Sequence, residues 1–127
     1  MGQPKVSILI SFYNLAPYVD KTMETVLAQK TNFPFEVICA DDGSSDDTVA
    51  KLRAWEEKYP AIVHIFVMDR EPGLKVDNRG RIRRLNAIRS RLFHEARGEY
   101  LCYLDGDDFY TDAHKLQKQA DILDGDT

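Results

Sequence analysis

Residues 35–48 read Phe35-Glu36-Val37-Ile38-Cys39-Ala40-Asp41-Asp42-Gly43-Ser44-Ser45-Asp46-Asp47-Thr48. A short, nearly unbroken apolar run from Phe35 to Ala40 enters an acidic turn. A run that is apolar at almost every residue, rather than at every second one, marks a strand buried on both faces, as in a parallel sheet. Beyond the turn, Asp46 or Asp47 is placed to cap a helix with Val49, Leu52, Trp55 and Tyr59 on its apolar face, and Pro60 stops it. The unit of strand, polar turn and helix recurs in both directions. Upstream, Val6 to Phe12 is a buried strand broken by Tyr13-Asn14. Between Pro17 and Gln29 the residues Val19, Met23, Val26 and Leu27 fall at helical spacing. Downstream, Ile62 to Met68 reads as a strand and Asp69 to Asn78, with Pro72-Gly73, as a loop. Arg79 to Ala96 reads as a helix with Ile82, Leu85, Ile88, Leu92 and Phe93 on one side, and Gly98 stands where a C-cap belongs. Tyr100 to Leu104 is a fourth strand ending in Asp105-Gly106-Asp107-Asp108; Leu116, Ala120 and Leu123 mark a last helix from about Asp112.

The order βαβαβαβα predicts an α/β fold, a mostly parallel sheet with helices on both faces. Such sheets bind ligands beyond the carboxyl ends of their strands. Tyr13-Asn14, Asp41-Asp42-Gly43 and Asp105-Gly106-Asp107-Asp108 each follow a strand directly. They are therefore expected to meet on one edge.

The chain has 127 residues, 43% hydrophobic and 30% charged, with a net charge of −4. That is enough for a single domain spanning 1–127, too apolar for a disordered tail and too poor in cysteine for a disulfide scaffold. No stretch approaches the roughly 18 consecutive apolar residues of a membrane span, and the N-terminus lacks an apolar leader. Cys39 and Cys102 lie in apolar runs and are expected as buried, reduced thiols of a cytoplasmic protein. Charge is unevenly spread: from Arg70 to Arg97, eight arginines and Lys75 face only Glu71, Asp77 and Glu95, a net of +6. Such a segment is either a solvated helix face or an anion site, and arginine's planar fork suits phosphate oxygens. The acidic whole speaks against nucleic acid as a partner.

Asp105, Asp107 and Asp108 place three carboxylates within four residues. Like charges this close disfavour one another's ionisation, and a divalent cation removes the conflict; hard oxygen donors suit Mg²⁺ or Mn²⁺. A plain turn with helix caps accounts for the same residues, as it does for Asp41-Asp42-Gly43. An EF-hand is excluded, because the twelfth position from Asp105 is Leu116. His64, His94 and His114 share no metal-ligand spacing and are expected in structural or solvated roles. No glycine-rich dinucleotide fingerprint, Walker loop or nucleophile elbow is present, which speaks against NAD-dependent, P-loop and α/β-hydrolase chemistry. Receiver domains and HAD-type phosphatases need an aspartate pair after the first strand, where this chain has Tyr13-Asn14.

Taken together, Val6-Ser7-Ile8-Leu9-Ile10-Ser11-Phe12-Tyr13-Asn14, Tyr18, Ala40-Asp41-Asp42-Gly43-Ser44-Ser45-Asp46-Asp47-Thr48, Arg89, Ala96-Arg97-Gly98-Glu99-Tyr100 and Leu104-Asp105-Gly106-Asp107-Asp108 resemble, in order and spacing, family-2 glycosyltransferases of the GT-A fold. The resemblance runs from Lys5 to about Ala120. It implies an inverting sugar transfer from a nucleoside-diphosphate sugar, usually a UDP-sugar, to an acceptor hydroxyl. By that resemblance Tyr13 covers the base, Asp42 or alternatively Asp41 binds the base N–H, and Arg79, Arg84 and Arg89 lie near base and diphosphate. Asp105-x-Asp107 corresponds to the family's DxD motif, with Asp105 at the ribose and Asp107 or Asp108 on the Mn²⁺ or Mg²⁺. The stretch from Gly73 to Arg84 is longer than in the commonest members and leaves the diphosphate arginine open among three. No position here matches the family's general base, so the catalytic residue is unassigned. The chain is expected to be the donor half without its acceptor half, or a non-catalytic nucleotide-binding or assembly module of the same fold. The acceptor, whether glycan, lipid-linked or protein, is not indicated. Apolar sheet surface left bare would favour a homo-oligomer, and the family's habit of working at the inner membrane face sets an expectation of peripheral membrane association.

Overall fold

The computed structural model describes residues 3–68 and 78–125, the side chains of 78–86 excepted. The elements follow the expected order: β1 (Val6–Phe12), α1 (Ala16–Leu27), β2 (Phe35–Asp41), α2 (Thr48–Lys58), β3 (Val63–Val67), α3 (Asn78–Glu95), β4 (Tyr100–Asp105) and α4 (Lys115–Leu123). The four strands form one sheet in the order β3-β2-β1-β4, and every pairing is parallel. β1 is central. The chain first winds one way, through β2 to β3, then crosses back to place β4 on the other side of β1. That reversal is the topological switch point of a doubly wound sheet, where neighbouring loops diverge and leave a crevice.

Register decides where the loops emerge. Ser11 lies opposite both Ala40 and Asp105, and Phe12 lies opposite Asp41. The three strands therefore finish almost level.

Both faces of the sheet are packed. On one, Ile8, Ile10, Phe12, Val37, Cys39, Val63, Ile65 and Leu104 meet Val19, Met23 and Val26 of α1, Leu52 of α2, and Leu116 and Ala120 of α4. On the other, Leu9, Ile38 and Ala40 meet Ile88 and Leu92 of α3. A helix presents only one stripe to the sheet, and this corrects two expected core residues. Phe93 follows Leu92 by one residue, which turns it about 100° off the buried stripe, and it is 54% exposed. Leu123 ends α4 beside β4, at the sheet edge among the described residues, and is 58% exposed. Ile82, Leu85 and the Asp69–Asp77 stretch lie outside what is described. No described helix is long and apolar enough to cross a membrane. Cys39 is buried and Cys102 half-buried, both as free thiols, and burial pushes the Cys39 thiol pKa up.

Below the site, at the opposite end of the sheet, a buried carboxylate ties three segments together. Glu36 Oε2 accepts hydrogen bonds from Ser7 Oγ at 2.6 Å and from Arg97 N at 2.7 Å. Ser7 Oγ in turn accepts from Gly98 N at 2.7 Å. Gly98 is thus more than a helix terminator. A Cβ there would lie 2.6 Å from the backbone nitrogen of Ser7 and 2.8 Å from the Val6 carbonyl carbon. Gly98→Ala is accordingly expected to destabilise the chain by about 1–3 kcal/mol, the usual cost of overpacking, measured as a lower urea midpoint; an unchanged midpoint would contradict the close approach.

A second tie fixes the end of α4. Asp124 accepts from Lys5 Nζ and from the Tyr100 hydroxyl, each at 2.6 Å. These bonds, that from Lys5 first, hold the Asp124 carboxyl below its ordinary pKa. A depressed carboxyl stabilises the fold above its unfolded pKa of about 3.9 and loses that contribution as pH falls through the lower folded value. In thermal melts, the difference between wild type and Asp124→Asn is expected to be present at pH 6 and to shrink at pH 3. A difference independent of pH would mean that the ionised carboxylate contributes nothing.

Candidate functional site

The loops after β1 and β2 are sewn to each other. Asn14 adopts a positive φ of 49°, a conformation that asparagine tolerates better than most residues. There its Oδ1 accepts from Ser45 N at 2.8 Å, and its own N–H donates to Ser44 Oγ at 2.8 Å. Leu15 N donates to Thr48 Oγ1 at 2.9 Å. Asp41 is fully buried, and Ser44 donates to it from N (2.8 Å) and from Oγ (2.5 Å), which closes the turn. Of the two expected caps, Asp47 occupies the N-cap position without a side-chain bond, and it is the Asp46 carboxylate, one residue earlier, that accepts from Thr48 N at 2.9 Å. Its bonds from Thr48 hold the Asp46 carboxyl below its ordinary pKa.

The acidic loop after β4 is held on two sides. From the sheet, Ser11 O accepts from Gly106 N at 2.9 Å. Gly106 is buried so closely that a Cβ would lie 2.5 Å from the Phe12 ring and 2.6 Å from Ser11 O. That contact explains the glycine inside the aspartate run. From α1, the buried Thr22 reaches the same loop: its Oγ1 lies 2.9 Å from Gly106 O and 2.6 Å from Asp108 O. Asp108 N closes a turn on Asp105 O at 2.9 Å.

So held, Asp105, Asp107 and Asp108 are all exposed and present carboxylate oxygens within 4.8 Å of one another. Among the described residues they are the one group of three or more histidines, cysteines or acids with a metal-compatible arrangement. Two full charges 4 Å apart repel by about 1 kcal/mol in water and severalfold more at a protein surface. Exposure keeps that cost bearable, and the donor set is all hard oxygen, which fits Mg²⁺ or Mn²⁺ rather than a thiophilic ion.

The other expected residues divide by position. Tyr13 is 40% exposed at the mouth of the first loop. Asp42 is half-buried beside it, its N–H donating to Phe12 O at 2.9 Å. Asp41, one residue earlier, is enclosed in its turn. Arg89 is exposed on α3 with its guanidinium carbon 5.6 Å from the Tyr103 ring centroid. The Tyr103 hydroxyl and Ser11 Oγ are 2.6 Å apart. Arg79 and Arg84 fall within α3, but their side chains lie outside the described residues. Sequence reasoning passed over Thr22, Ser11 and Tyr103. Thr22 carried a readable signal, a hydroxyl on the otherwise apolar stripe of α1. Tyr103 carried none beyond its place in an apolar run.

The chain as a whole has relatives in sequence and in fold. Residues 7–127 match the family described as Glycosyl transferase family 2. The chain is 36% identical over 119 residues, 94% of its length, to an uncharacterised protein of Mycobacterium tuberculosis, and spans 31% of that protein. It is 29% identical over 121 residues, 95% of its length, to the putative teichuronic acid biosynthesis glycosyltransferase TuaG of Bacillus subtilis, and spans 42% of it. The chain thus spans about a third to two fifths of these curated relatives. Among solved structures it superposes on S. aureus TarS 1–349 in complex with UDP with a TM-score of 0.73 at 23% identity, covering 94% of this chain and 32% of that one. The mannosyltransferase PcManGT of Pyrobaculum calidifontis, in complex with GDP-Man and Mn²⁺, gives a TM-score of 0.73 at 24% identity over 99% of this chain and 34% of that one. Fold and sequence agree: the chain has the GT-A fold and belongs to glycosyl transferase family 2.

Proposed function

We propose that this chain is the donor-binding part of an inverting glycosyltransferase, taking a nucleoside-diphosphate sugar, a UDP-sugar first, together with Mn²⁺ or Mg²⁺. The observation that carries the reading is the triad Asp105, Asp107 and Asp108, exposed at the switch point with oxygens within 4.8 Å. A diphosphate brings negative charge to an already negative edge, so it binds there only if a cation lies between. TarS with UDP and PcManGT with GDP-Man and Mn²⁺ share the fold, and the ligands they hold support this class.

Each residue then has a task. Asp42, half-buried at the rim, accepts the imide N–H of the base, while Asp41, enclosed with Ser44, shapes the turn that presents it. Tyr13 covers the base. Asp105 accepts from a ribose hydroxyl, and Asp107 and Asp108 hold the cation. Arg89, with Arg79 and Arg84 on the same helix, supplies positive charge towards the diphosphate. Asp107 and Asp108 would hold the cation, which would supply positive charge against that developing on the leaving nucleoside diphosphate. Transfer also needs a base within hydrogen-bond reach of the acceptor hydroxyl, and we assign none in this chain.

Calorimetric titration of the 127-residue chain with UDP, GDP, CDP and ADP, with and without Mn²⁺, tests the reading. UDP is expected to bind in a Mn²⁺-dependent manner; binding of no nucleotide, or binding indifferent to metal, would sink it. Asp107→Asn is expected to weaken the Mn²⁺-dependent binding at least about tenfold, on the scale of disturbed metal sites. Asp42→Ala removes a charged acceptor and is expected to cost about 10–100-fold in UDP affinity, the equivalent of about 1.5–3 kcal/mol. Equal affinity in the Asp42 variant would remove it from the base pocket.

A further inference from the structure

The loop from Gly106 to His114 has no helix or strand of its own. Its backbone must find partners elsewhere, and α1 together with the residues just past its end supplies them. Thr22 Oγ1 is 2.9 Å from Gly106 O and 2.6 Å from Asp108 O, one proton shared between two carbonyls. Thr25 Oγ1 accepts from Tyr110 N at 3.0 Å. Gln29 Nε2 donates to Asp112 O at 2.8 Å, and its Oε1 accepts from Leu116 N at 3.1 Å. Thr22 and Thr25 sit at i and i+3 on one stripe of the helix, and Gln29 follows just beyond its C-cap, Ala28. They grip the loop at nearly every second residue.

Thr22 is the telling member. A helical threonine commonly returns its hydroxyl to a carbonyl one turn back, as Thr25 does to Thr22 O at 3.1 Å. Thr22, 1% exposed in the middle of the α1 core stripe, instead donates out of its helix. The two carbonyls it serves flank Asp107 on both sides. Ser11 O takes the amide of Gly106 from the opposite direction. The peptide units bearing Asp107 are thus clamped between β1 and α1, while the carboxylates themselves stay exposed.

We propose that Thr22 is a positioning residue: through Gly106 O and Asp108 O it sets the backbone from which Asp107 and Asp108 reach a divalent cation. This rests on the reading of that loop as the cation site. A cation held by two carboxylates of adjacent residues tolerates displacements of only about half an ångström. A loop freed on one side must be ordered again at each binding event, so affinity falls although no ligand is removed.

The test compares wild type, Thr22→Val and Thr22→Ser of the same chain. Valine matches the threonine in shape and removes the hydroxyl; serine keeps it. Two readouts are needed: Mn²⁺ affinity by electron paramagnetic resonance, with the metal alone, and amide hydrogen exchange of residues 106–110 without metal. Thr22→Val is expected to raise the Mn²⁺ Kd about tenfold, the lower end for a disturbed outer-shell partner. It is also expected to speed exchange of the 106–110 amides while β1 and β2 stay protected, and Thr22→Ser is expected to restore both. Wild-type Mn²⁺ affinity in the valine variant would overturn the positioning role alone. Faster exchange across the whole sheet, unrescued by serine, would also overturn it, by showing a general packing defect. A wild-type chain that binds no Mn²⁺ would overturn the cation reading, and this inference with it.

Discussion

The last two carbonyl groups of β1 hold both acidic loops. Ser11 O receives the amide of Gly106 and Phe12 O that of Asp42, each at 2.9 Å. A strand end normally leaves such groups to water. Here β1 lies between two parallel neighbours whose ends are level with its own, so its terminal acceptors are spent on the turns that follow β2 and β4. Everything else at the edge is arranged around these two bonds. Asn14 and Ser44 close the gap on one side, and Thr22 closes it on the other.

The same economy governs the choice of residue at each point. Glycine at 98 and 106 is required by backbone approaching within hydrogen-bond range of another strand, where a Cβ would fall under 3 Å from main-chain atoms. Hydroxyl residues meet several of the loop carbonyls and amides that need a partner, as Thr22, Thr25, Thr48 and Ser7 do. The one deeply buried acid in the lower half, Glu36, has its charge met by Ser7, by the Arg97 amide and by the Arg97 guanidinium at 3.3 Å. The exposed acids of the upper edge are left to meet solvent or a cation.

How much of this was legible in the sequence follows from the range of each interaction. Strands and helices were, because apolar runs, helical spacing and the prolines and glycines that interrupt them act over a few residues. The meeting of three turns on one edge was legible too, since parallel connections allow little else. That Asp41 is the buried member of the pair Asp41-Asp42 was not legible, because which of two adjacent residues points inward depends on the pairing register with Phe12. Phe93 and Leu123 were misplaced because periodicity shows that a stripe exists but not where the sheet beneath it stops. Thr22 stood out as a hydroxyl on an apolar stripe, but its partners were not legible, because they are backbone groups, which every residue carries.

The clamp around Asp107 also has a history in time. Thr22 and Gly106 are 84 residues apart, and Gly106 also waits on β1, at the start of the chain. Closing loops of that length before any contact is made is entropically costly and slow. β1, β2 and α1 can gather early, whereas the acidic turn acquires its shape only when β4 adds to the far side of β1. A folding chain therefore carries its three aspartates as an unshaped polyanionic segment until nearly the last step. The shape of the acidic turn arrives together with completion of the sheet.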